Sequence, residues 1–441
     1  MITDYRKYLL VGPSCSGKSV LLASIVSNLE KEPAKIWPNF KHGDGLSFKA
    51  CKYGNDVAPF PYQRILGEVA QKGEWPEPTI DISAVRMEGT YPGNRLTRFK
   101  HRIIRDFVDI PGELFADFAG SERAHGKDAS YEDWSDAILA DFPLAADTPS
   151  QNAIKDYEVL LKRNPSPTAE EIVENYQARM REARQRFRYF ISPATLITRE
   201  SNLEENFPDN YAPLPHAFRV RHTEITRIFS DRYKRYQKQV TRPLRRQIAQ
   251  ADGVILPVDV GWILGGGMAM FRDQYRLLQE FGHYLGHFDG WFKNLCSRGE
   301  RLLMLKKGTL GRLRCVALCG TKMDTYRLAD RSLILEDLIR VLTNPVRTGA
   351  GARINVTYTA CSGIKAARTD KDNPDLLKGR VNGKEQTMQP TALPDKWPHD
   401  DWNRGDYTFG TIFEPFLPQN MLHPPPQINI KRLLQQLENA N

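Results

Sequence analysis

One eight-residue segment constrains the fold more than any other part of the sequence. Residues 12–19 are GPSCSGKS, which matches G-x-x-x-x-G-K-[ST] at every fixed position. The segment follows a short apolar run at residues 7–11 and precedes apolar residues at helical spacing, so it joins an expected strand to an expected helix. Its glycines allow backbone N–H groups to turn around phosphate oxygens, and the helix start adds positive potential. The segment therefore predicts a phosphate-binding loop.

The side chains of this loop have separate expected roles. Lys18 is expected to reach the β- and γ-phosphates and to act in catalysis, and the Ser19 hydroxyl is expected to ligate Mg²⁺. The other nucleotide contacts expected from this loop are Gly12, Pro13, Ser14, Cys15, Ser16, Gly17 and Val20. A chance Gly-rich turn is the alternative, and the strand and helix on either side disfavour it.

Apolar runs predict six strands, most of them without polar alternation. They cover residues 7–11, 80–87, 102–110, 253–260, 313–319 and 353–359, with helical or long connections between them. Such runs are typical of a mainly parallel sheet covered on both faces, in which ligands bind beyond the carboxyl ends of the strands. The expected fold class is therefore α/β, a P-loop NTPase with a Ras-like G domain and a large, mostly helical insertion.

The chain is expected to contain one core with two insertions. Residues 1–112 and 251–441 are assigned to the core, and the Gly-, Pro- and aromatic-rich stretch 31–78 is expected to be an irregular insertion. Residues 113–250 are expected to form a mainly helical, basic subdomain. It includes a predicted helix over 222–250, with Pro243 as a possible break.

Composition excludes several classes of protein. Apolar residues make up 41% and charged residues 26%, which excludes wholesale disorder and collagen-like structure. Six scattered cysteines suggest neither a disulfide framework nor a zinc site, and Cys319 is expected to be a core residue. The apolar stretch 253–270 contains Pro257, Asp259 and five glycines, so a buried strand and a Gly-rich turn are favoured over a membrane span. No export signal is visible, and a cytoplasmic location is expected.

A second motif lies at the end of the predicted strand 102–110. The sequence Asp109-Ile-Pro-Gly112 would place a carboxylate beside the same Mg²⁺, and a mobile backbone at Gly112 would contact a γ-phosphate. Thr79, in the sequence WPEPT, is the candidate for the mobile threonine that completes the Mg²⁺ shell and acts in catalysis. Thr90 and Thr97 are its competitors.

A third motif indicates the nucleotide base. Thr321-Lys-Met-Asp324 resembles the (N/T)KxD motif of GTPases, in which the carboxylate accepts hydrogen bonds from guanine N1–H and the 2-amino group while the Lys322 stem covers the base. A helix N-cap is the plainer interpretation of Thr321 or Asp324. Ala360, followed by Cys361, is expected to present a backbone N–H to guanine O6.

The order of these motifs resembles that of the YcjX-like family of bacterial P-loop GTPases. Besides GPSCSGKS, WPEPT, DIPGE, PVD, TKMD and YTACS, the stretches VDIPGELF, RYKRYQKQV, ADGVILPVDV and VNGKE are similar to that family, so the resemblance covers most of the chain. It implies a nucleotide-binding, stress-associated, GTP-hydrolysing protein with a Ras-like core and helical insertions.

Hydrolysis is expected to be slow without an activator. A Gln directly after DxxG orients the attacking water in Ras-like enzymes, and this position is Glu113 here. A carboxylate can accept a hydrogen bond from water, but it lies beside a tetra-anionic nucleotide. An arginine from the insertion, with Arg123 as one candidate, or from a partner would have to supply positive charge.

The expected function is a Mg²⁺-dependent GTPase switch that acts on an unknown protein effector. The alternatives are a P-loop ATPase or small-molecule kinase, and a non-hydrolysing GDP-bound scaffold. Residues 219–246 carry ten Lys or Arg against two acids, so peripheral contact with an anionic membrane on its inner face, or with an acidic protein, is a further expectation. A solvated helical face is the plainer interpretation. No nucleic-acid motif accompanies this segment.

Overall fold

The computed structural model of the chain describes most of the residues that carry these motifs. The described ranges are 2–37, 45–54, 57–77, 81–91, 101–122, 129–145, 148–184, 210–296, 313–327, 334–352, 354–390, 393, 397, 401–407, 413–415, 417 and 423–439. Thr79, Thr97 and Arg123 lie outside them. Their expected roles stay predictions.

A mixed, mostly parallel sheet forms the centre of the molecule. Its strands are β1 (Ile2–Leu10), β2 (Ser47–Cys51), β3 (Ala58–Pro59), β4 (Ser83–Tyr91), β5 (His101–Asp109), β6 (Gly253–Asp259), β7 (Cys315–Thr321) and β8 (Asn355–Ala360). Their order is β2-β4-β5-β1-β6-β7-β8, with β3 paired to β4. Strands β5, β1, β6, β7 and β8 run parallel, whereas β4 runs antiparallel to both β5 and β2. The predicted α/β class and all six predicted strands are confirmed, with ends shifted by a few residues.

Helices cover both faces of this sheet, and others pack in a region of their own. They are α1 (Lys18–Lys31), α2 (Pro33–Ile36), α3 (Tyr62–Lys72), α4 (Gly112–Glu122), α5 (Tyr131–Ala145), α6 (Thr148–Arg163), α7 (Ala169–Arg184), α8 (His216–Arg221), α9 (Thr223–Tyr236), α10 (Arg242–Gln250), α11 (Val260–Cys296), α12 (Ile334–Ala350) and α13 (Ile430–Glu438). Alternate residues of β1 enter different cores: Tyr8 and Leu10 pack with α1 and α13, and Leu9 packs with α10, α11 and α12. Two apolar layers therefore hold the sheet.

The stretch 31–78 is more regular than its composition suggests. Strand β2 extends the main sheet antiparallel to β4, and α3 packs on α1. The expectation of an irregular insertion was wrong, because short elements at a sheet edge leave little periodicity in the sequence. Glu30 on α1 holds this region, since its carboxylate accepts from the Ala50 amide at 3.0 Å and from the Tyr62 hydroxyl at 2.7 Å.

The stretch 253–270 contains a buried strand, as predicted, but no turn follows it. Helix α11 begins directly at Val260 and is interrupted at Gly267, whose φ of 73° and ψ of −166° are not helical. None of the helices in the described ranges combines the length and the hydropathy that a membrane-spanning segment needs.

Residues 129–240 include helices α5 to α9 and have an aromatic core of their own. Tyr131, Trp134, Tyr211 and Tyr233 are buried against one another with ring centroids 5.1–6.1 Å apart. The predicted helix over 222–250 forms as α9 and α10, but a π-helical turn at Gln237–Thr241 separates them. Pro243 lies in the first turn of α10, where its missing N–H costs little, and so it does not break the helix.

A second sheet and a terminal helix complete the described fold. Strands β9 (Ala367–Thr369), β10 (Leu377–Val381) and β11 (Lys384–Met388) pair antiparallel in the order β11-β10-β9. Helix α13 lies against β7 and β8, and its Glu438 binds Arg105 of β5. The sequence VNGKE, at the β10–β11 connection, is a hairpin turn in which Asn382 and Gly383 both have positive φ.

Candidate functional site

The candidate site lies at the carboxyl edge of the parallel strands. Residues 12–19 follow β1, residues 109–112 end and follow β5, and residues 321–324 end and follow β7. Parallel strands bring these segments to one edge of the sheet, which is where open α/β sheets bind ligands. The three motifs identified in the sequence therefore meet in space.

The phosphate loop has the backbone conformation that its glycines allow. Gly17 has a φ of 84° and directly precedes α1, and a Cβ at Gly12 would lie 2.7 Å from the carbonyl oxygen of Pro257. Cys15 has a φ of 61° although it is not glycine, so it holds a conformation that costs about 1 kcal/mol for most side chains. Its exposed side chain lines the cavity described below.

Lys18 is buried at the start of α1. Its Nζ donates to the carbonyl oxygens of Gly12 at 2.9 Å and of Pro13 at 2.7 Å, so the loop curls around its own ammonium group. Burial lowers the pKa of Lys18, and the negative charges of Asp109 and Glu113 oppose that shift. The ammonium is thus fixed at the floor of the loop.

Ser19 and Asp109 lie side by side, as the metal-binding hypothesis requires. The Ser19 Oγ donates to Asp109 Oδ2 at 2.7 Å, and Asp109 is fully buried at the end of β5. Two hard oxygen donors next to a phosphate loop fit Mg²⁺, which takes one or two protein oxygens and completes its shell with phosphate and water. No group of three metal-ligating His, Cys, Asp or Glu side chains occurs in the described ranges.

Gly112 packs directly on the phosphate loop. A Cβ at this position would lie 2.1 Å from the Ser14 amide nitrogen, so only glycine fits here. Gly112 is also the first residue of α4, which makes it a link between the loop and that helix. Glu113 follows it, is half-buried, and does not line the cavity.

Thr321 and Lys322 fasten the third motif to its neighbours. The Thr321 hydroxyl donates to the Ser16 carbonyl at 2.8 Å and to the Val258 carbonyl at 3.1 Å, which ties β7 to the phosphate loop and to β6. Lys322 has a φ of 62°, and its Nζ binds Asp259 Oδ2 at 2.6 Å. Asp259 was not among the predicted site residues, although it ends the quoted sequence PVD. Its Oδ1 also caps α11 by accepting from the Trp262 amide at 3.1 Å.

Asp324 is buried and makes several hydrogen bonds within the protein. Its Oδ1 accepts from the Ser362 hydroxyl at 2.5 Å, and its Oδ2 accepts from the amides of Ala366 at 2.5 Å and Ala367 at 3.1 Å. The carboxylate still borders the cavity. It is therefore placed where a base would lie, but both of its oxygens already accept donors.

The structure does not place Ala360 and Cys361 as the sequence analysis expected. The amide of Cys361 donates to the Gly320 carbonyl at 2.7 Å, and both residues are buried away from the cavity. The next residues, Ser362, Gly363 and Ile364, line it instead, because β8 extends one residue further than predicted. Cys319 is buried in the core, as expected, and its sulfur is also bonded to that of Cys361, which the sequence analysis did not predict.

One cavity of about 650 Å³ connects these groups. Its volume is within the usual range for small-molecule sites. Several residues that line it were not predicted, namely Trp75, Glu77, Gly261, Trp262, Gly265, Gly266, Met270, Arg404 and Phe413. They come from segments that carry no recognised motif, so only the fold could assign them to the site. The exceptions are Trp75 and Glu77, which belong to the sequence WPEPT.

Some of the basic side chains in the stretch 219–246 are bound within the protein, and others are exposed. Arg219 is buried, donates to the Leu214 carbonyl at 2.6 Å and pairs with Asp136, and Arg232 donates to the Asn210 carbonyl at 2.9 Å and pairs with Glu170. These two arginines hold the helical region together. An exposed row with a spacing of four remains, formed by Lys234, Lys238, Arg242 and Arg246.

Fold and site define an α/β protein with a lysine-containing loop that curls at the carboxyl edge of a mostly parallel sheet. The model of the YcjX-like family, DUF463, matches residues 10–439 of the chain. The chain therefore belongs to the YcjX-like family, which confirms the resemblance seen in its motifs. No curated protein matches the sequence.

Proposed function

We propose that this protein binds GTP with Mg²⁺ and hydrolyses it slowly to GDP and inorganic phosphate, as a P-loop GTPase with a helical insertion at 113–250. The observation that carries the proposal is the curled loop around Lys18, whose Nζ lies 2.9 Å from the Gly12 carbonyl and 2.7 Å from the Pro13 carbonyl. This arrangement presents an ammonium group and the N-terminus of α1 to one ligand. Phosphate is the anion that such a loop fits best.

In the proposed reaction a water oxygen forms a bond to the γ-phosphorus, and the bond from that phosphorus to the β–γ bridging oxygen breaks. The water proton ends on inorganic phosphate, and GDP leaves with the bridging oxygen. Lys18 would contact the β- and γ-phosphates, and the amide of Gly112 would contact the γ-phosphate. Ser19, with Asp109 beside it, would hold Mg²⁺, which neutralises charge on the phosphates.

Guanine would bind at Asp324 by an exchange of donors. The N1–H and 2-amino groups of guanine would replace the amides of Ala366 and Ala367 on the carboxylate, which accepts from them at 2.5 and 3.1 Å. The Ser362 hydroxyl would stay on Oδ1 and hold the carboxylate in place. Residues 362–367 would then have to move when guanine binds.

Nucleotide control would act through Gly112. Gly112 lies against the Ser14 backbone and is also the first residue of α4. A γ-phosphate that accepts a hydrogen bond from the Gly112 amide would therefore shift α4. This geometry supports a switch that acts on a protein effector. The stress-related role is supported by the family resemblance alone.

The same contacts of Asp324 favour a second candidate, a P-loop ATPase without guanine selection. If the amides of Ala366 and Ala367 remain on the carboxylate, guanine finds no free pair of acceptor oxygens there. The base would then be held by packing against apolar walls, which discriminates weakly between purines.

Calorimetric titration with GTP, GDP and ATP in Mg²⁺ separates the two candidates. Wild type should prefer GTP over ATP by about 100-fold or more, and Asp324→Asn should lose that preference because its amide replaces one acceptor oxygen with an NH₂ group, which repels the guanine donors. Asp370→Asn is the matched control, since Asp370 Oδ1 also accepts two backbone amides, but outside the cavity. Equal affinity for GTP and ATP in wild type would contradict guanine selection, and phosphate release then tests hydrolysis of either triphosphate.

A further inference from the structure

Trp75 is an exposed tryptophan at the candidate site. It is 37% exposed, and among the large apolar residues that are exposed in the described ranges it is the one that lines the cavity. Contact between an indole ring and water is unfavourable, and covering the ring stabilises the protein. An aromatic ring in this position inside a cavity is suited to pack against a planar ligand.

The segment that carries Trp75 is docked on residues 413 and 414. The Trp75 Nε1 donates to the Phe413 carbonyl at 3.1 Å. Gly73 ends α3 with a φ of 68°, and a Cβ there would lie 3.7 Å from Glu414 Oε2, in van der Waals contact. The one polar group of the indole is therefore already bonded to the protein, and a ligand would meet the apolar ring.

Residues 413 and 414 are fixed in turn to the hairpin of β10 and β11. The Glu414 amide donates to the Arg380 carbonyl at 2.8 Å, and Glu414 Oε1 accepts from the Gly383 amide at 2.8 Å. Phe413 is buried, and its ring lies directly on Gly379 of β10, where a Cβ would not fit. The support beneath Trp75 is thus a part of the fold with hydrogen bonds and apolar packing of its own.

Phe413 also places Trp75 at the Asp324 end of the cavity. Phe413 lines the cavity and packs in one apolar cluster with Ala366 and Ala367. The amides of these two alanines donate to Asp324 Oδ2 at 2.5 and 3.1 Å. A hydrogen bond and one packing contact therefore connect Trp75 to the residues that hold Asp324, the carboxylate proposed to bind the base.

A second neighbour of the base would come from another part of the fold. Lys322 lines the cavity, and its Nζ binds Asp259, which caps α11. Lys322 is thus supported by α11, whereas Trp75 is supported by residues 413 and 414 on the small sheet. A purine held at Asp324 would contact the Lys322 stem from the one part and the Trp75 ring from the other.

We propose that the Trp75 indole stacks on the purine base of the bound nucleotide and supplies affinity that is independent of which purine is bound. Every purine has a π-face, so stacking contributes to the binding of GTP and of ATP alike. Selection between them would remain with Asp324. This inference rests on the proposed nucleotide binding, but neither on hydrolysis nor on guanine selection.

Four proteins test this role: wild type, Trp75→Ala, Trp75→Phe and Tyr5→Ala. Tyr5 is the matched control, because it is 39% exposed, donates one side-chain hydrogen bond, to Asp106, and does not line the cavity. Calorimetry in Mg²⁺ measures the binding of GTP, ATP and inorganic triphosphate, which has no base. Trp75→Ala should bind GTP and ATP about 10-fold more weakly and inorganic triphosphate as wild type does. Trp75→Phe should keep most of the affinity, and Tyr5→Ala should keep all of it.

Indole fluorescence gives a second measurement on the same proteins. GTP should quench the emission of wild type more than that of Trp75→Phe, and inorganic triphosphate should not produce this difference. An unchanged affinity of Trp75→Ala for both nucleotides rejects stacking.

Two other results would also overturn the assignment. An equal loss of affinity for inorganic triphosphate would show that Trp75 acts through the phosphate loop or the fold, and an equal loss in Trp75→Phe and Trp75→Ala would assign the effect to the Nε1 hydrogen bond. If wild type binds neither nucleotide, the proposed function fails and the role of Trp75 fails with it. Nucleotide binding by wild type together with any of the earlier results rejects Trp75 alone.

Discussion

Cys15 combines a strained backbone conformation with an exposed thiol. It holds a left-handed backbone at the tip of the phosphate loop, and its thiol is exposed at the cavity. Cys315, on β7, is the opposite case, because burial raises the pKa of its thiol to about 11. Only the thiolate is strongly nucleophilic, so the two cysteines should differ widely in reactivity.

Thiol labelling at pH 8 should therefore report occupation of the loop. Cys15 should react with an aromatic disulfide reagent while Cys315 stays protonated and unreactive. With Mg²⁺-GTP at about 100 times its Kd, the free fraction of loops falls to about 1% and labelling of Cys15 should slow accordingly. Cys15→Ser identifies the signal, and Cys51, which is partly exposed and does not line the cavity, is the internal control. Equal labelling with and without nucleotide would contradict binding at this loop.

The sequence motifs identified the polar residues at the strand ends of the candidate site, but not the cavity residues that come from segments without a motif. Lys18, Ser19, Asp109 and Asp324 were all found by their spacing from predicted strands, since parallel strands end at one edge. Arg404 could not be found in this way. Its neighbours Trp402 and Gly405 hold it at the cavity through hydrogen bonds to α11, whose residues are more than 130 positions away in the sequence. Backbone contacts over such a distance leave no local pattern.

At the scale of elements, α4 joins the phosphate loop to the helical region. The Tyr236 hydroxyl, at the end of α9, donates to Asp117 Oδ2 on α4, and both groups are buried. The π-helical turn at Gln237–Thr241 begins directly after Tyr236. An extra residue per turn of this kind often marks a functional position in a helix, and here it separates α9 from α10.

Tyr236→Phe should weaken this connection. The change removes the hydroxyl donor of a buried carboxylate, which should lower the free energy of unfolding by about 1–3 kcal/mol, as measured by urea denaturation. Hydrogen exchange of the α4 amides should also become faster. Tyr157→Phe is the control, since Tyr157 donates to the Pro213 carbonyl within the helical region and does not contact α4. Identical exchange of α4 in the two variants would show that Tyr236 does not hold that helix.

Predictions of elements succeeded where a periodic pattern was long. Thr168 and Glu171 form a capping box at the start of α7, with the Thr168 amide donating to Glu171 at 2.9 Å and the Glu171 amide donating to the Thr168 hydroxyl at 3.2 Å. Strand β3 has two residues and pairs with β4, so its position depends on tertiary contacts rather than on propensity. The π-helical turn has no sequence signal of its own.

At the scale of the whole molecule, a buried network joins the two ends of the described chain. Arg105 of β5 is 1% exposed, and its Nε and Nη2 each donate to the Glu438 carboxylate at 2.7 Å. Tyr8 of β1 donates to the same carboxylate at 2.8 Å, and Asp4 pairs with Arg105 from the other side. Helix α13 is thereby locked onto the central strands.

Glu438→Gln should be strongly destabilising. The change leaves the buried Arg105 without one of its two carboxylates, and breaking a buried pair costs about 3–5 kcal/mol. Glu385→Gln is the matched control, because Glu385 pairs with Arg368 where both side chains are more than half exposed, and such pairs contribute about 0–1 kcal/mol. Urea denaturation of both variants measures the difference. Equal losses would contradict the structural importance of the network.

The contacts between β1 and α13 can form only late during synthesis of the chain. Strand β1 leaves the ribosome first, yet its hydrogen-bonded neighbours are β5 and β6, and its carboxylate partner arrives with residue 438. At about 5–20 residues per second, the first strand waits roughly 20–80 s for that helix. Helix α1 follows β1 directly and can cover the face of Tyr8 and Leu10 early, whereas the contacts of that face with α13 are missing until residue 438 has been made. All the segments that line the candidate site have been made by then, so the contacts of α13 with β1 and β5 are among the last to form.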